Sequence, residues 1–307
     1  MRCSNGLGLK IMATLINYFI LIRPKQWLKN VLVFAGIIFG CKFFEIESLI
    51  NVMLGFISFS LVSSGLYVVN DVIDKEKDSL HPVKNKRPIA SGKIKPLSAI
   101  PVSLILLIAG VYLSYSINLN FFYCIIIYFI IMISYSFYLK NIAILDALII
   151  SAGFVIRAVS GAYIVRVEIS PWLLICTFLL ALLIAFGKRR NEITVLGDSA
   201  DSHRKNLKDY SVQILDYYIA ITASCSVIAY SLYCISDRTE KAFHTDKLIF
   251  TIPFVIYGIF RYLYLLFFKK IGGEPELLLF RDKSLLLDVI LWSGTSILII
   301  YKYSLRS

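Results

Sequence analysis

This chain places an acidic stretch directly after an apolar one, in the sequence Leu66-Tyr67-Val68-Val69 followed by Asn70-Asp71-Val72-Ile73-Asp74-Lys75-Glu76-Lys77-Asp78. No Gly or Pro interrupts the stretch, so the sequence predicts that one helix continues through it. Spacings of three and four residues then place four oxygen-bearing side chains on one helix face. Like charges at such spacings destabilise a helix by about 0.2–0.5 kcal/mol per pair, which indicates that a cation normally lies among them.

The side chains on that face offer hard oxygen ligands of the kind that Mg²⁺ binds. Mg²⁺ usually keeps several waters and is shared between protein carboxylates and substrate phosphates. The sequence therefore predicts a Mg²⁺ site formed by Asn70, Asp71, Asp74 and Asp78, and we expect Asp71 and Asp74 to be catalytic.

A basic loop follows the acidic stretch, with the sequence His81-Pro82-Val83-Lys84-Asn85-Lys86-Arg87-Pro88-Ile89-Ala90-Ser91-Gly92. Its prolines and glycine end the helix and bring three cations back towards the acids. We predict that Lys84 and Arg87 bind phosphate groups of a substrate, since cations beside Mg²⁺-bound carboxylates form a diphosphate site. A loop that binds lipid headgroups is the alternative. It accounts for the cations but not for the acids on one side.

The composition identifies the kind of protein that surrounds this site. Of the 307 residues, 58% are hydrophobic and 17% are charged, and the mean hydropathy is +0.75. These values are typical of an integral membrane protein and exclude a disordered chain or a disulfide-rich mini-domain. The net charge of +12 would indicate nucleic acid in a soluble protein. Here cytoplasmic loops and phosphate-bearing substrates account for it, so no nucleic-acid partner is expected.

The apolar stretches predict an all-α, multi-pass transmembrane bundle that forms a single domain over residues 1–307. Arg23, Lys25 and Lys29 leave the first stretch short. We count nine stretches of the right length, at 26–42, 49–70, 97–116, 121–139, 142–165, 171–187, 212–235, 247–268 and 284–303.

The positive charges predict the orientation of the bundle. The N-terminus and the loops after even-numbered stretches carry 23 Lys and Arg residues, whereas the opposite side carries seven. Because Lys and Arg accumulate in cytoplasmic loops, we expect the acidic stretch to face the cytoplasm from the plasma (inner) membrane of the cell.

The motif N-D-x-x-D-x-x-x-D at the end of the second of nine stretches resembles the first aspartate-rich motif of the UbiA superfamily of intramembrane prenyltransferases. Within that superfamily, three segments look like the branch of decaprenyl-phosphate phosphoribosyltransferases, and the likeness covers nearly the whole chain. The three segments are Arg23-Pro24-Lys25-Gln26-Trp27-Leu28-Lys29-Asn30, the 81–92 loop and Gly187-Lys188-Arg189-Arg190-Asn191-Glu192. Residues 261–264 and 272–282 fall where that branch carries similar segments.

The resemblance implies a Mg²⁺-dependent enzyme that transfers a 5-phosphoribosyl group from phosphoribosyl diphosphate to a polyprenyl phosphate in the lipid bilayer. The product would be a lipid-linked precursor for envelope sugars. In this interpretation Lys188 and Arg189 join Lys84 and Arg87 as ligands of the donor phosphates. Lys29, Arg157 or Lys188 orients the acceptor, which is already an anion and needs no general base. The sequence is silent on oligomeric state and compatible with a homo-oligomer.

One departure from the superfamily concerns the loop after the sixth stretch. Aromatic prenyltransferases carry a second aspartate-rich motif there, whereas this chain has Gly187-Lys188-Arg189-Arg190-Asn191-Glu192. Asp198 and Asp201 follow, and whether they bind a second metal is left open, as are the roles of Arg261, Glu274 and Asp282. A basic loop favours a donor with an additional phosphate. Two alternatives to a phosphoribosyltransferase remain. The first is an aromatic or haem prenyltransferase that uses an allylic diphosphate, and the second is a transporter or channel.

Arg157 lies within an apolar stretch, where a charge costs about 2.5–3.5 kcal/mol on insertion scales. Such a residue is a functional candidate by default, and its partner should be a phosphate or a carboxylate. Asp146, about three turns earlier on the same helix, is the nearest acid. A structural ion pair with a neighbouring helix is the alternative role.

Overall fold

The computed structural model describes residues 3–168, 170–196, 205–269, 272–273 and 275–304. Within these residues the chain forms α-helices and short 3-10 helices and no β-strand, which confirms the predicted all-α class. The α-helices are α1 (Cys3–Leu21), α2 (Ala35–Phe39), α3 (Ile46–Ile73), α4 (Lys75–Leu80), α5 (Pro96–Ile117), α6 (Leu119–Phe137), α7 (Leu145–Val165), α8 (Pro171–Leu196), α9 (Val212–Ile235), α10 (Asp237–Phe243), α11 (Ile252–Phe267), α12 (Pro275–Arg281) and α13 (Lys283–Ser304).

Eight of the predicted transmembrane stretches form helical segments long and apolar enough to cross a bilayer, among the described residues. The first stretch, 26–42, differs from the others. It forms a 3-10 helix at Pro24–Phe34, followed by the short helix α2. Its polar residue Asn30 is fully buried and donates to the hydroxyl oxygens of Ser60 and Ser63 at 3.1 and 3.3 Å. This segment therefore packs inward through polar contacts.

The helix that carries the acidic stretch is held by close packing against α5. Ser103 donates from its hydroxyl to the carbonyl oxygen of Gly65 at 2.9 Å, and Ser58 donates to the carbonyl of Gly110 at 2.7 Å. Small residues at these positions let the two backbones approach, as is common between helices in membranes. The contacts fix α3 along its length, and so fix its polar end.

Two larger hydrophobic clusters divide the bundle. One lies around α3, α6 and α7, with Phe59, Phe121 and Ile125 fully buried. The other joins α8, α9 and α11 around Leu183 and Ile219. Since α7 also packs against α8, it links the two halves.

A smaller cluster holds the basic loop against the end of α3. Ile89 and Ile94 from the loop pack with Val68 of α3, and all three side chains are almost completely buried. Arg87 stands two residues before Ile89. This apolar contact therefore determines where the cations of the loop lie.

Gly161 of α7 lies directly against the 3-10 helix Pro24–Phe34, because a Cβ atom added there would overlap the carbonyl oxygen of Val33. We expect Gly161→Ala to lower the apparent melting temperature in detergent, since overpacking costs about 1–3 kcal/mol. Gly294→Ala is the matched control, because a Cβ at this helical glycine meets no atom within 4 Å. Equal melting temperatures for the two variants would contradict the close approach.

Candidate active site

The predicted uninterrupted helix across the acidic stretch is wrong at one residue. Helix α3 ends at Ile73, Asp74 adopts φ −91° and ψ 8°, and α4 begins at Lys75. Backbone hydrogen bonds still cross the break, from the Asp74 amide to the Asn70 carbonyl at 2.9 Å and from the Asp78 amide to the Asp74 carbonyl at 2.8 Å. The chain stays coiled. The four predicted ligands nevertheless form two pairs that contact different cations: Asn70 with Asp74, and Asp71 with Asp78.

Lys140 binds the first pair of predicted ligands. Its Nζ atom lies 2.7 Å from both carboxylate oxygens of Asp74 and donates to Oδ1 of Asn70 at 3.3 Å. The side chains of Lys140 and Asp74 are 11% and 18% exposed, so the pair is shielded but within reach of solvent. Lys140 belongs to the 3-10 turn Leu139–Asn141, which connects α6 and α7.

Arg23 and Arg87 bind the second pair. The guanidinium of Arg87 donates to Oδ1 of Asp71 at 3.0 Å and also to Oδ2 of Asp78. Arg23 donates to the same Asp71 oxygen, and its guanidinium lies 5.3 Å from the ring centre of Tyr67. Burial raises the pKa of Asp78 above its usual value, while the positive charge of Arg87 opposes that shift.

One carboxylate oxygen in this group is left over. Oδ2 of Asp71 is buried and has no hydrogen-bond partner among the described residues. A buried carboxylate oxygen without a donor is costly, and a cation would satisfy it. Carboxylate and amide oxygens are the ligands that a divalent ion prefers, and the unpaired oxygen of Asp71 is the observation that favours such an ion here. Among the described residues, no three acidic, His or Cys side chains are grouped closely enough to hold a metal ion, and the acids are paired with Arg23, Arg87 and Lys140.

Lys84, a predicted phosphate ligand, lies beside the pair of Asp71 and Asp78. It is half-buried in the 3-10 turn Lys84–Lys86, and its positive charge acts on the carboxyl group of Asp78. His81 orders this turn, because its Nδ1 atom accepts from the backbone amides of Val83 and Lys84 at 3.1 and 3.3 Å. The basic loop thus has a defined shape.

Arg157 lies in the interior of the first half of the bundle and is 4% exposed. Three groups accept from its guanidinium at 2.7 Å: Oδ1 of Asn30, the carbonyl oxygen of Gly153 and the hydroxyl of Tyr128. It forms no ion pair with any described residue, so its charge is solvated by dipoles and aromatic rings. The carboxylate considered from the sequence, Asp146, is bound elsewhere.

Arg189 binds that carboxylate. Its Nε atom donates to Oδ2 of Asp146 at 2.6 Å, and Nη1 donates to Oε2 of Glu192 at 2.5 Å. The side chains of Arg189 and Asp146 are 2% and 0% exposed. This predicted phosphate ligand is thus directed at the protein's own acids. Lys188, its neighbour on α8, is half-buried.

Lys29 lies on the 3-10 helix Pro24–Phe34, next to Asn30. Its Nζ atom donates to Oε1 of Gln26 at 2.5 Å. The 3-10 helix thus carries the predicted acceptor ligand Lys29 and, through Asn30, contacts the other predicted acceptor ligand, Arg157.

Arg23 and Lys140 complete the site but were not singled out as ligands from the sequence. Each carried a weak signal. Arg23 directly precedes a proline in one of the segments that resemble the family. Lys140 is the only Lys or Arg between the fourth and fifth predicted stretches.

Other acids singled out in the sequence lie away from this cluster or outside the described residues. Arg261 and Asp282 form a two-pronged ion pair at 3.1 and 2.8 Å, which lowers the pKa of Asp282. Asp282 also accepts from the amide of Leu285, so the pair ties α11 to the start of α13. Asp198, Asp201 and Glu274 lie outside the described residues.

Comparisons with known proteins identify the family of this chain. The model of the UbiA prenyltransferase family matches residues 31–268. The chain belongs to the UbiA prenyltransferase family, and it is a multi-pass membrane protein.

Two curated relatives are similar over most of their length. A decaprenyl-phosphate phosphoribosyltransferase of Mycolicibacterium smegmatis is 31% identical over 89% of this chain and 89% of that protein. One of Corynebacterium glutamicum is 31% identical over 91% of this chain and 85% of that protein. Among solved structures, a UbiA homologue from Archaeoglobus fulgidus bound to DMAPP and Mg²⁺ has a TM-score of 0.71 at 20% identity, covering 92% of this chain and 99% of that one.

The buried pair of Arg189 and Asp146 predicts a specific stability pattern. Breaking a buried ion pair by removing one partner costs about 3–5 kcal/mol, because the other charge stays buried. We therefore expect Arg189→Met or Asp146→Leu to lower the melting temperature in detergent more than the double variant does. Arg190→Met is the control, since its partner Asp216 is 37% exposed and the pair is worth little. A double variant less stable than both single variants would contradict the pairing.

Proposed function

We propose that this enzyme transfers a 5-phosphoribosyl group from phosphoribosyl diphosphate to a polyprenyl phosphate of the decaprenyl type and releases diphosphate, in a Mg²⁺-dependent reaction. The observation that carries the proposal is the alternation of three carboxylates with three cations at one end of an apolar bundle. The cluster consists of Asp71, Asp74 and Asp78 with Arg23, Arg87 and Lys140. The identity of the donor is supported by the two relatives at 31% identity.

The cations of the cluster are suited to bind the diphosphate of the donor. In the structure, Arg23, Arg87 and Lys140 are held by the carboxylates. An incoming diphosphate carries the same sign of charge and can replace the carboxylates as their partner. Exchange of partners keeps each buried charge compensated at every stage, which is the condition for burial of ionic groups.

The carboxylates released in this exchange would hold the divalent ion. Asn70, Asp71, Asp74 and Asp78 provide the oxygen ligands, and Oδ2 of Asp71 is already without a donor among the described residues. When bound, the ion neutralises charge on the diphosphate as it departs. Lys84 acts on the carboxyl group of Asp78 through its charge, and we assign it to a further phosphate of the donor.

The reaction needs no general base. A phosphate oxygen of the acceptor attacks the anomeric carbon, the bond from that carbon to the diphosphate oxygen breaks, and diphosphate carries away the electron pair. Lys29 and Arg157 are our candidates to attract the acceptor phosphate. Arg157 acts through its uncompensated charge, because its own hydrogen bonds are directed at Asn30, Gly153 and Tyr128. Lys188 stays a candidate for either phosphate, whereas we assign Arg189 to the support of the site.

The polyprenyl tail would lie among the apolar helices, with the reacting groups at the acidic end. We place that end in the cytoplasm and the protein in the plasma membrane, since most Lys and Arg residues lie on that side. The product, a lipid-linked phosphoribose, would serve as a precursor of envelope sugars.

Asp74 provides the sharpest test of the site. Asp74→Ala removes a predicted ligand and the partner of Lys140, so we expect at least about a hundredfold loss of kcat, as is typical for loss of charge stabilisation in the transition state. The assay follows radiolabel from phosphoribosyl diphosphate into the lipid phase in the presence of polyprenyl phosphate. Glu76→Ala is the matched control, because Glu76 is an exposed acid on the neighbouring helix α4. Full activity of Asp74→Ala, or equal losses in both variants, would refute the site.

The same assay separates the two donors. Two solved structures of a UbiA homologue from Archaeoglobus fulgidus are bound to GPP or DMAPP with Mg²⁺, so the fold accepts allylic diphosphates. We expect label to move from phosphoribosyl diphosphate and not from an allylic diphosphate. Transfer from the allylic diphosphate alone would show that the protein transfers prenyl groups. Transfer from neither donor would favour a transport function.

Removal of divalent ions gives an independent test of the ligands. We expect EDTA to abolish transfer by the purified enzyme and Mg²⁺ to restore it, because the diphosphate must be neutralised as it leaves. Asp71→Asn should raise the Mg²⁺ concentration needed for half-maximal rate by about tenfold or more, since one charged ligand becomes neutral. Unchanged activity in EDTA would contradict the metal assignment.

A further inference from the structure

The turn that carries Lys140 has a strained backbone. The amide of Leu145 donates to the carbonyl of Ala143 at 2.7 Å, which closes a three-residue γ-turn around Ile144. Ile144 has φ 67° and ψ −50°. This form of the γ-turn is rare and strained, and positive φ is most unfavourable for a β-branched residue. Strain of this kind persists only where the surroundings enforce it.

A buried hydrogen-bond chain supplies that enforcement. The amide of Ile144 donates to the hydroxyl of Tyr210 at 2.5 Å, and this hydroxyl donates to Oδ1 of Asp146 at 3.0 Å. Oδ2 of Asp146 accepts from Nε of Arg189 at 2.6 Å. The exposed fractions of Tyr210, Asp146 and Arg189 are 7%, 0% and 2%, so water does not compete for these bonds.

We propose that Tyr210 is a positioning residue for Lys140: with Asp146 and Arg189 it holds the strained turn 139–145 in the conformation that presents Lys140 to Asn70 and Asp74. The part of this inference that concerns the donor rests on the proposed function. Tyr210 touches neither the acidic cluster nor Lys140 through any described hydrogen bond. Its effect on the reaction is therefore transmitted through the turn.

The chemistry of the tyrosine hydroxyl suits this role. It accepts one hydrogen bond and donates another, which phenylalanine cannot do. Burial raises the pKa of Tyr210 above its usual value, so the hydroxyl keeps its proton and stays a donor to Asp146.

The contact also connects two loops that are distant in sequence. Tyr210 follows the 3-10 helix Lys205–Asp209, which packs against the turn Leu139–Asn141. Arg189 anchors the other end of the chain from α8. The basic segment 187–192 thus acts on the site by fixing Lys140.

The first test is Tyr210→Phe, with Tyr262→Phe as the matched control. Tyr262 is also buried, but its hydroxyl has no hydrogen-bond partner among the described residues. Lys140 accessibility is measured without substrate, as the rate of acylation by an amine reagent, resolved by peptide mass spectrometry. The exposed Lys93 serves as the internal reference. We expect Tyr210→Phe to accelerate Lys140 labelling by about tenfold, because the turn 139–145 loses the hydrogen bonds of the hydroxyl group that restrain it. Tyr262→Phe should leave it unchanged.

Kinetics provide the second readout. We expect Tyr210→Phe to raise KM for phosphoribosyl diphosphate by about tenfold. In a Lys140→Ala background the same substitution should change KM less than twofold, because residues that act through one another are not additive. Adding Ile144→Gly to Tyr210→Phe should return both the labelling rate and KM to wild-type values, since glycine adopts positive φ without strain.

The outcomes separate this inference from the proposed function. Wild-type labelling of Lys140 in Tyr210→Phe would overturn the inference, and so would additive effects with Lys140→Ala or failure of the Ile144→Gly rescue in folded protein. If Tyr210→Phe alone does not fold, the Tyr210→Phe, Ile144→Gly double variant carries the comparison, and its failure to fold also overturns the inference. Faster Lys140 labelling without any phosphoribosyl transfer by the wild type would refute the proposed function and support the positioning role.

Discussion

The ion pairs of Asp71 with Arg23 and Arg87 are the interaction on which the polar end of this bundle depends. Asp71 is almost completely buried at the end of an apolar helix, where an uncompensated carboxylate is costly. Its two partners come from segments 48 and 16 residues away in the chain. The 3-10 helix before α2, helix α3 and the basic loop must therefore assemble together. In the proposed function, charges held in this way are preorganised for a diphosphate, which would take the place of the carboxylates.

Much of the site could be predicted from sequence because its signals are local. The apolar run before Asn70, the spacing of Asp71, Asp74 and Asp78, and the prolines and glycine of the next loop all lie within residues 66–92. Such patterns follow from helix periodicity and turn chemistry alone. The fold class and family that they predict are confirmed by the helices and by the family match.

The rest depends on contacts between distant segments. No Gly or Pro in the sequence marks the helix break at Asp74. The break directs the Asp74 side chain to Lys140, 66 residues away. Arg189 looked like a phosphate ligand in a basic segment, yet its guanidinium is directed inward because Asp146 is buried opposite it. The strain at Ile144 is not visible in the sequence, since the residue is β-branched and the hydroxyl that accepts from its amide belongs to Tyr210, 66 residues away.

The most direct test of the site is a structure of the protein with Mg²⁺ and phosphoribosyl diphosphate bound in the absence of acceptor. Density for the ion should touch the carboxylates of Asp71 and Asp74, and Lys140 should have left Asp74 for a phosphate oxygen of the donor. An ion and donor bound elsewhere, with the pair of Lys140 and Asp74 intact, would contradict the assignment of this acidic end as the active site.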